Sequence, residues 1–165
     1  MRIGIVVTTV GEKYALDSIR SFAEAKKPDQ DLIAWYNCID GFKEDFFRNL
    51  REITDDVIVC TKNKGVIEAY GFALLYLDYD YVAIACCDVQ VQSDWFEKLH
   101  GALKSNEQAV GVGQSSYDYP WLDVSEWNPS LLCPDKVMLW DRRKLNEFGS
   151  ISPSFKLFGD GGTEL

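Results

Sequence analysis

The chain has a single histidine, His100, and none of its five cysteines forms a Cys-x-x-Cys pair. Tetrahedral zinc sites need several thiolate or imidazole ligands at short spacings, so a zinc-binding domain is excluded. We expect His100, near the end of a helix, to be an exposed or C-terminal helix residue, and a metal-ligand role is the alternative. An odd number of cysteines, most of them in or beside apolar runs, argues against a disulfide framework. Reduced thiols and a cytoplasmic location are therefore expected.

Positive charge is scarce, and long apolar runs are missing. The chain has 17 Lys and Arg against 26 Asp and Glu, a net charge of -9, which excludes a general nucleic-acid-binding surface. No run approaches the roughly 20 apolar residues of a membrane span. The opening MRIGIVVTTV is too short for a secretory signal, and no cleavage site follows it. We expect no transmembrane segment. An acidic protein can still bind a phosphate-bearing ligand through a bridging metal ion.

Two glycine-rich phosphate-binding motifs are also absent. No G-x-G-x-x-G follows the first apolar run, and no G-x-x-x-x-G-K-[ST] occurs anywhere. These absences weaken the interpretation of the chain as a dinucleotide-binding or P-loop protein.

The chain does have a regular alternation of apolar strands and amphipathic helices. Its 165 residues, 47% of them hydrophobic, suit a single domain over residues 1–165. The alternation predicts successive βα units, hence an α/β fold with a mostly parallel sheet flanked by helices. Strands are predicted at residues 2–9, 31–38, 56–60, 81–87, 109–113 and 136–140, and helices at 12–26, 42–51, 66–77, after an N-cap at Ser93, and at 142–148.

Polar residues follow several of the predicted strands. Asp88 comes directly after the apolar run YVAIACC, while Thr9 and Asp40 end two other strands. In open α/β sheets ligands bind past the carboxyl ends of the strands, so we expect Thr9 and Asp40 to line one pocket. Asp88 is suited to hold a divalent cation. A turn or capping role explains it equally well, and the residues alone leave both open.

Residues 115–134 differ in character from the rest of the chain. Aromatic side chains, among them Trp121 and Trp127, stand between Pro, Ser and Asp residues. The stretch is too polar and too broken for a regular element and predicts a loop. Its aromatics are suited either to recognition of a sugar-like ligand or to a hydrophobic flap over one end of the sheet.

Five segments carry a resemblance over nearly the whole chain. They are IGIVVTTVGEKYALDSIRSF, IAWYNCIDGFKED, NKG followed by DYDYV, CCDV with DWFEKL, and VMLWDRRKLNEFGSISPSF. In this order and spacing they resemble the family-2-like glycosyltransferases with the GT-A fold, which is Rossmann-like. The resemblance implies a hexosyltransferase-like enzyme that moves a sugar, with inversion, from a nucleotide-diphosphate sugar to an acceptor hydroxyl. The implied donor is a UDP- or GDP-sugar, and the implied acceptor is a glycan or another hydroxyl compound.

The resemblance also implies roles for individual residues. Asp40 would read the base or ribose, and Asp88 would match the last acid of a D-x-D motif. Asp88 would then bind the Mn²⁺ or Mg²⁺ ion that bridges the diphosphate. Residues expected at the nucleotide-sugar site are Thr8, Thr9, Gly11, Asp40, Asn63, Lys64, Cys86 and Asp88, with Trp121 and Trp127 expected to contact the acceptor.

The general base would come from the terminal GDGGTEL stretch, as Asp160 or Glu164. We favour Asp160, because a Phe-Gly pair precedes it as in the family's approach to its base. Asp118 and Asp123, in the aromatic stretch, are the alternatives outside that register.

The chain departs from the family pattern in two places. Cys86 stands where the first acid of the D-x-D motif is expected, and a thiol is a poor ligand for Mg²⁺. Tyr70 and Gly71 stand where an Arg-Asn pair is common, so Lys62 or Lys64 would have to supply the positive charge. Two function classes therefore remain: the transferase, and a non-catalytic relative that binds a nucleotide sugar or a protein partner. A nucleotidyltransferase ranks third, because its glycine-rich, arginine-containing start is absent.

Overall fold

The computed structural model describes residues 1–62, 64–113 and 136–147. Helices and strands alternate there as predicted, and the fold class, a mostly parallel α/β sheet flanked by helices, is confirmed. In chain order the elements are β1 (Ile3–Thr9), α1 (Ala15–Ala25), β2 (Gln30–Asn37), α2 (Glu44–Ile53), β3 (Asp56–Cys60), α3 (Gly65–Tyr76), β4 (Tyr81–Cys86), α4 (Trp95–Ser105), β5 (Gly111–Gly113), β6 (Val137–Asp141) and α5 (Arg142–Glu147).

The strand order of the sheet is β3-β2-β1-β4-β6-β5. The first four strands in this order are parallel; β6 is antiparallel to β4, and β5 is antiparallel to β6. The chain moves outward from β1 to β3 and then returns to place β4 on the other side of β1. The order therefore reverses between β1 and β4. Open α/β sheets bind their ligands at the carboxyl ends of the strands beside such a reversal.

Both faces of the sheet are covered, which is why its central strands are apolar without alternation. On one face Ile3, Ile5 and Val7 of β1 pack in a core with buried residues of α1, α2 and α4. On the other face Val6 packs in a core with residues of α3 and α5. All seven residues of β1 are buried, so its carboxyl end is rigidly placed.

Element boundaries differ from the predicted ones by up to three residues. The predicted N-cap at Ser93 is wrong: Asp94 holds the N-cap position of α4 without a side-chain capping hydrogen bond, and its carboxylate pairs with Lys98 at 2.9 Å. Helix α1 begins at Ala15 and not at residue 12, because the Glu12 side chain is engaged by the preceding loop. Helix α2 begins two residues late, because the Lys43 N–H donates to the Tyr36 hydroxyl at 3.1 Å while Lys43 is still extended.

Gly4 gives a direct test of the packing on the α3 face. A Cβ at Gly4 would lie 2.5 Å from Cδ2 of Tyr79, whose hydroxyl donates to Asp31 at 3.0 Å and holds the ring in place. We expect Gly4→Ala to lower the free energy of unfolding, measured in urea, by ~1–3 kcal/mol. The matched control is Gly101→Ala in α4, where a Cβ meets nothing within 4 Å. It should raise stability by ~0.5–1 kcal/mol. A Gly4→Ala variant as stable as the wild type would contradict this packing.

Candidate functional site

The carboxyl ends of β1 and β4 lie side by side, and three of the predicted site residues meet there. Thr8 is the register partner of Cys86, and its buried hydroxyl donates to the Ala85 carbonyl at 3.4 Å. Asp88 follows two residues after β4 ends. The structure thus places Thr8, Cys86 and Asp88 at the point where the strand order reverses.

Glu12 organises the loop that leaves β1, and the sequence analysis missed it. Its Oε2 atom accepts hydrogen bonds from the Thr9 hydroxyl at 2.8 Å, the Val10 N–H at 3.0 Å and the Cys87 thiol at 3.6 Å. The Gly11 N–H in turn donates to the Thr9 hydroxyl oxygen at 3.0 Å. One carboxylate therefore fixes the β1 loop and joins it to the residue before Asp88.

The β1 loop is also joined to the loop that contains Asp40. Gly11 has φ +91°, a conformation that favours glycine, and a Cβ there would lie 3.2 Å from the Tyr36 ring. The Gly11 carbonyl accepts a hydrogen bond from the Lys43 ammonium at 3.2 Å. Asp40 is exposed in the same loop as Lys43, three residues after β2 ends. Its side chain is therefore accessible on a loop that contacts the β1 loop, and its expected pocket with Thr9 stays a prediction.

The two cysteines of the CCD run have different surroundings. Burial, together with the neighbouring Glu12 carboxylate, raises the pKa of the Cys87 thiol to about 12. Cys87 is therefore protonated at neutral pH and serves as a hydrogen-bond donor to Glu12. Because a thiol binds a metal only as the thiolate, this protonated thiol is not a metal ligand. Cys86 lies with its sulfur 3.9 Å from the Tyr70 hydroxyl.

Asp88 forms an ion pair with Lys136. The ammonium of Lys136 donates to Oδ2 of Asp88, and the two side chains are 35% and 43% exposed respectively. The Cys86 N–H donates to the Lys136 carbonyl at 3.0 Å, which fixes the lysine backbone beside β4. No sequence pattern indicated this pair. It depends on β6 lying antiparallel beside β4, which places Lys136 next to an acid 48 residues earlier.

Lys64 lies at the start of α3, and its ammonium pairs with Glu68 at 3.0 Å on the surface. Its backbone N–H donates to Oδ1 of Asn37 at 3.3 Å, and the Trp35 indole donates to the same oxygen at 3.2 Å. Asn37 is buried at the carboxyl end of β2. This amide, which the sequence analysis did not single out, holds the β3–α3 loop against the sheet edge.

His100 lies in the middle of α4, and the expectation that it is exposed near a helix end is wrong. Its ring stacks on Phe96 with centroids 5.3 Å apart and meets Tyr81 edge-on at 4.9 Å. Burial lowers the pKa of the imidazole. His100 therefore packs as a neutral aromatic residue between α4 and the start of β4.

Several predicted residues lie outside the described part of the chain. They are Asn63, Asp118, Trp121, Asp123, Trp127, Asp160 and Glu164. Within the described ranges, no group of three or more His, Cys, Asp and Glu side chains is placed to hold a metal ion. No helix in these ranges is long and apolar enough to cross a membrane.

A separate cleft of about 280 Å³ lies at the opposite, amino edge of the sheet. Arg2, Asp80 and Arg143 are among the residues that line it. Its charges already pair with groups of the protein: the Asp80 carboxylate accepts a hydrogen bond from the backbone N–H of Arg2 at 2.8 Å, and Arg143 contacts Asp141 at 3.6 Å. We therefore assign the candidate functional site to the carboxyl edge.

No family model and no curated protein sequence matches the chain. Solved structures do match it. The mannosyltransferase PcManGT from Pyrobaculum calidifontis, in complex with GDP-Man and Mn²⁺, superposes with a TM-score of 0.71 at 15% identity. That match covers 90% of this chain and 47% of the mannosyltransferase.

Two further structures match at similar levels. S. aureus TarS 1-349 gives a TM-score of 0.62 at 13% identity, over 90% of this chain and 49% of TarS 1-349. Glucosyl-3-phosphoglycerate synthase from Mycobacterium tuberculosis, in complex with phosphoglyceric acid, gives 0.62 at 16% identity, over 87% of this chain and 58% of the synthase. The chain thus spans about half the length of these structures. Its strand order, mixed sheet and structural neighbours show that this chain has the GT-A fold of nucleotide-sugar glycosyltransferases.

Proposed function

We propose that this chain belongs to a glycosyltransferase that moves a sugar, with inversion, from a nucleotide-diphosphate sugar to an acceptor hydroxyl. One observation carries the proposal: the reversal of strand order between β1 and β4 brings Thr8, at the end of β1, beside Cys86, two residues before Asp88. This is the edge at which an open α/β sheet binds its ligand.

The donor is a UDP- or GDP-sugar, bound along this edge. Asp40 hydrogen-bonds the base or ribose from its exposed position, while Thr8, Thr9 and Gly11 lie near the nucleoside. Asn63, Lys64 and Cys86 complete the nucleotide-sugar site. The neighbouring structures that contain GDP-Man and UDP-GlcNAc support this class of donor.

Asp88 holds a divalent cation, Mn²⁺ or Mg²⁺. A single carboxylate fits such an ion, which commonly takes one or two carboxylates and completes its coordination with substrate phosphates and water. The Mn²⁺ in the mannosyltransferase structure supports this choice. When bound, the ion neutralises the negative charge that grows on the leaving diphosphate.

The transfer is an in-line displacement at the anomeric carbon. Asp160, or Glu164 in its place, accepts the proton of the acceptor hydroxyl, and Trp121 and Trp127 contact the acceptor. A cytoplasmic location suits Cys38, Cys60, Cys86 and Cys87, which are all free thiols.

A non-catalytic relative is the second candidate function. The pairing of Asp88 with Lys136, together with Cys86 at the first position of the D-x-D motif, favours it. Such a protein would bind a nucleotide sugar without transferring the sugar.

A thermal-shift panel tests the donor proposal. UDP, GDP, dTDP and CMP are each added with and without Mn²⁺, and a ligand of the folded state raises the apparent melting temperature. We expect UDP or GDP with Mn²⁺ to give the largest rise. No rise with any nucleotide would overturn both the transferase and the non-catalytic nucleotide-binding alternative.

Glu12 offers a test of the loop that carries Thr9 and Gly11. Glu12→Ala leaves the Thr9 hydroxyl and the Val10 N–H without their acceptor, so we expect a loss of ~1–3 kcal/mol in unfolding free energy. In the variant, nucleotide binding must also order the loop. If this costs about 1.4 kcal/mol of binding free energy, the nucleotide affinity falls about tenfold. Isothermal titration with UDP or GDP and Mn²⁺ measures the affinity. Glu12→Gln keeps one acceptor oxygen and should restore most of both losses. Equal effects of Ala and Gln would contradict the role of this oxygen.

A further inference from the structure

The ion pair at the candidate site joins the proposed metal ligand to a flexible cation. Lys136 lies one residue before β6, and its ammonium donates a hydrogen bond to Oδ2 of Asp88. Its backbone is fixed by the hydrogen bond from the Cys86 N–H, while its side chain is about one-third exposed. The backbone is thus anchored, and a four-carbon stem lets the ammonium move.

Three other charged side chains around the carboxyl edge already have different partners. Glu12 accepts hydrogen bonds from the β1 loop and from Cys87. The Lys64 ammonium pairs with Glu68, and the Lys43 ammonium donates to the Gly11 carbonyl. Among the described residues, Lys136 is therefore the lysine that pairs with the acid at the proposed metal-binding position, Asp88.

An ammonium and a divalent cation compete for the same carboxylate oxygen. A partly exposed ion pair is weak, so a metal ion can displace the lysine from Asp88. Breaking the pair lowers the affinity for the metal ion only a few-fold. The displaced ammonium remains within one side-chain rotation of Asp88. A diphosphate bridged to Asp88 by the metal would lie there and would offer the lysine several anionic oxygens.

We propose that Lys136 is an exchangeable counter-cation of this site. In the free protein it neutralises Asp88 and competes with the metal. When the metal and the nucleotide diphosphate bind, the ammonium moves from Asp88 to the diphosphate. The proposal rests on the proposed function and adds a positive charge to its site. The chain is acidic and has Tyr70 and Gly71 where the related family often has Arg-Asn, so Lys136 would supply a charge that those positions lack.

The test compares the wild-type chain with Lys136→Met and Lys136→Arg, after circular dichroism has confirmed their folding. Mn²⁺ alone is titrated and followed by electron paramagnetic resonance. Lys136→Met should bind Mn²⁺ about two- to fivefold more tightly than the wild type, because its competitor is gone. Lys136→Arg keeps the charge and should show no gain, and the gain should vanish in Lys136→Met combined with Asp88→Asn. The matched control is Lys98→Met, which breaks an ordinary surface pair with Asp94 and should not change Mn²⁺ affinity.

A second titration uses UDP or GDP at a Mn²⁺ concentration that saturates both proteins. Lys136→Met should bind the nucleotide about tenfold more weakly than the wild type, while Lys136→Arg should bind it nearly as well. Unchanged or undetectable Mn²⁺ binding by Lys136→Met would overturn the competition. Unchanged nucleotide affinity at saturating Mn²⁺ would overturn the transfer to the diphosphate. If the wild type binds no nucleotide under any condition, the proposed function and the transfer step fail together. The Mn²⁺ titration still decides the competition in that case.

Discussion

Replacing Asp88 with asparagine should abolish the Mn²⁺-dependent part of nucleoside diphosphate binding. Asparagine keeps the shape of the side chain but removes the charge that a divalent cation requires. We expect the gain in affinity that Mn²⁺ gives to fall by at least ~100-fold. The fold should survive, because the Asp88–Lys136 pair is partly exposed and contributes no more than ~1 kcal/mol to stability. Isothermal titration with and without Mn²⁺ measures the effect.

The matched control for this variant is Asp94→Asn. Asp94 is also an exposed acid near the carboxyl end of β4, but it pairs with Lys98 at the start of α4. Its replacement should leave the Mn²⁺ dependence unchanged. If Asp88→Asn binds the metal–nucleotide complex as tightly as the wild type, Asp88 is not the metal ligand.

Replacing Asp160 with asparagine should slow the chemical step of transfer by a factor of ~10²–10⁴, with little change in donor affinity. A general base acts on the proton of the acceptor hydroxyl, so its loss affects the transition state and leaves donor binding intact. Single-turnover transfer at saturating donor isolates this step. The assignment of Asp160 depends on the resemblance of the terminal stretch to the family's base region.

Glu164→Gln is the control that decides between the two candidate bases. If it slows the step and Asp160→Asn does not, Glu164 is the base. If neither variant slows it, the base lies elsewhere, and Asp118 and Asp123 in the aromatic stretch become the next candidates. If the wild-type chain binds the donor but neither it nor any variant transfers sugar, the protein is the non-catalytic relative.

The fold was predictable from local patterns, because each strand and helix carries its own hydrophobic signal. The apolar run of β1 and the Asp88 position after β4 needed only the neighbouring residues to be recognised. The helix starts were less predictable, since Tyr36 and Glu12 hold nearby backbone by side-chain hydrogen bonds that periodicity does not reveal.

The contacts within the site were mostly not predictable, because distant parts of the chain make them. Lys136 reaches Asp88 only because β6 runs antiparallel beside β4. Cys87 reaches Glu12 across 75 positions of sequence. Sequence reasoning placed residues at the edge of the sheet and could not say which side chains neutralise one another there.

The most direct test of the central claim is a backbone amide NMR titration of the chain with UDP or GDP and Mg²⁺. The account predicts that the largest chemical-shift changes fall at residues 8–12, 40 and 86–88, at the carboxyl ends of β1, β2 and β4. Changes confined to the amino-edge cleft around Arg2, Asp80 and Arg143, with the carboxyl edge unaffected, would contradict it.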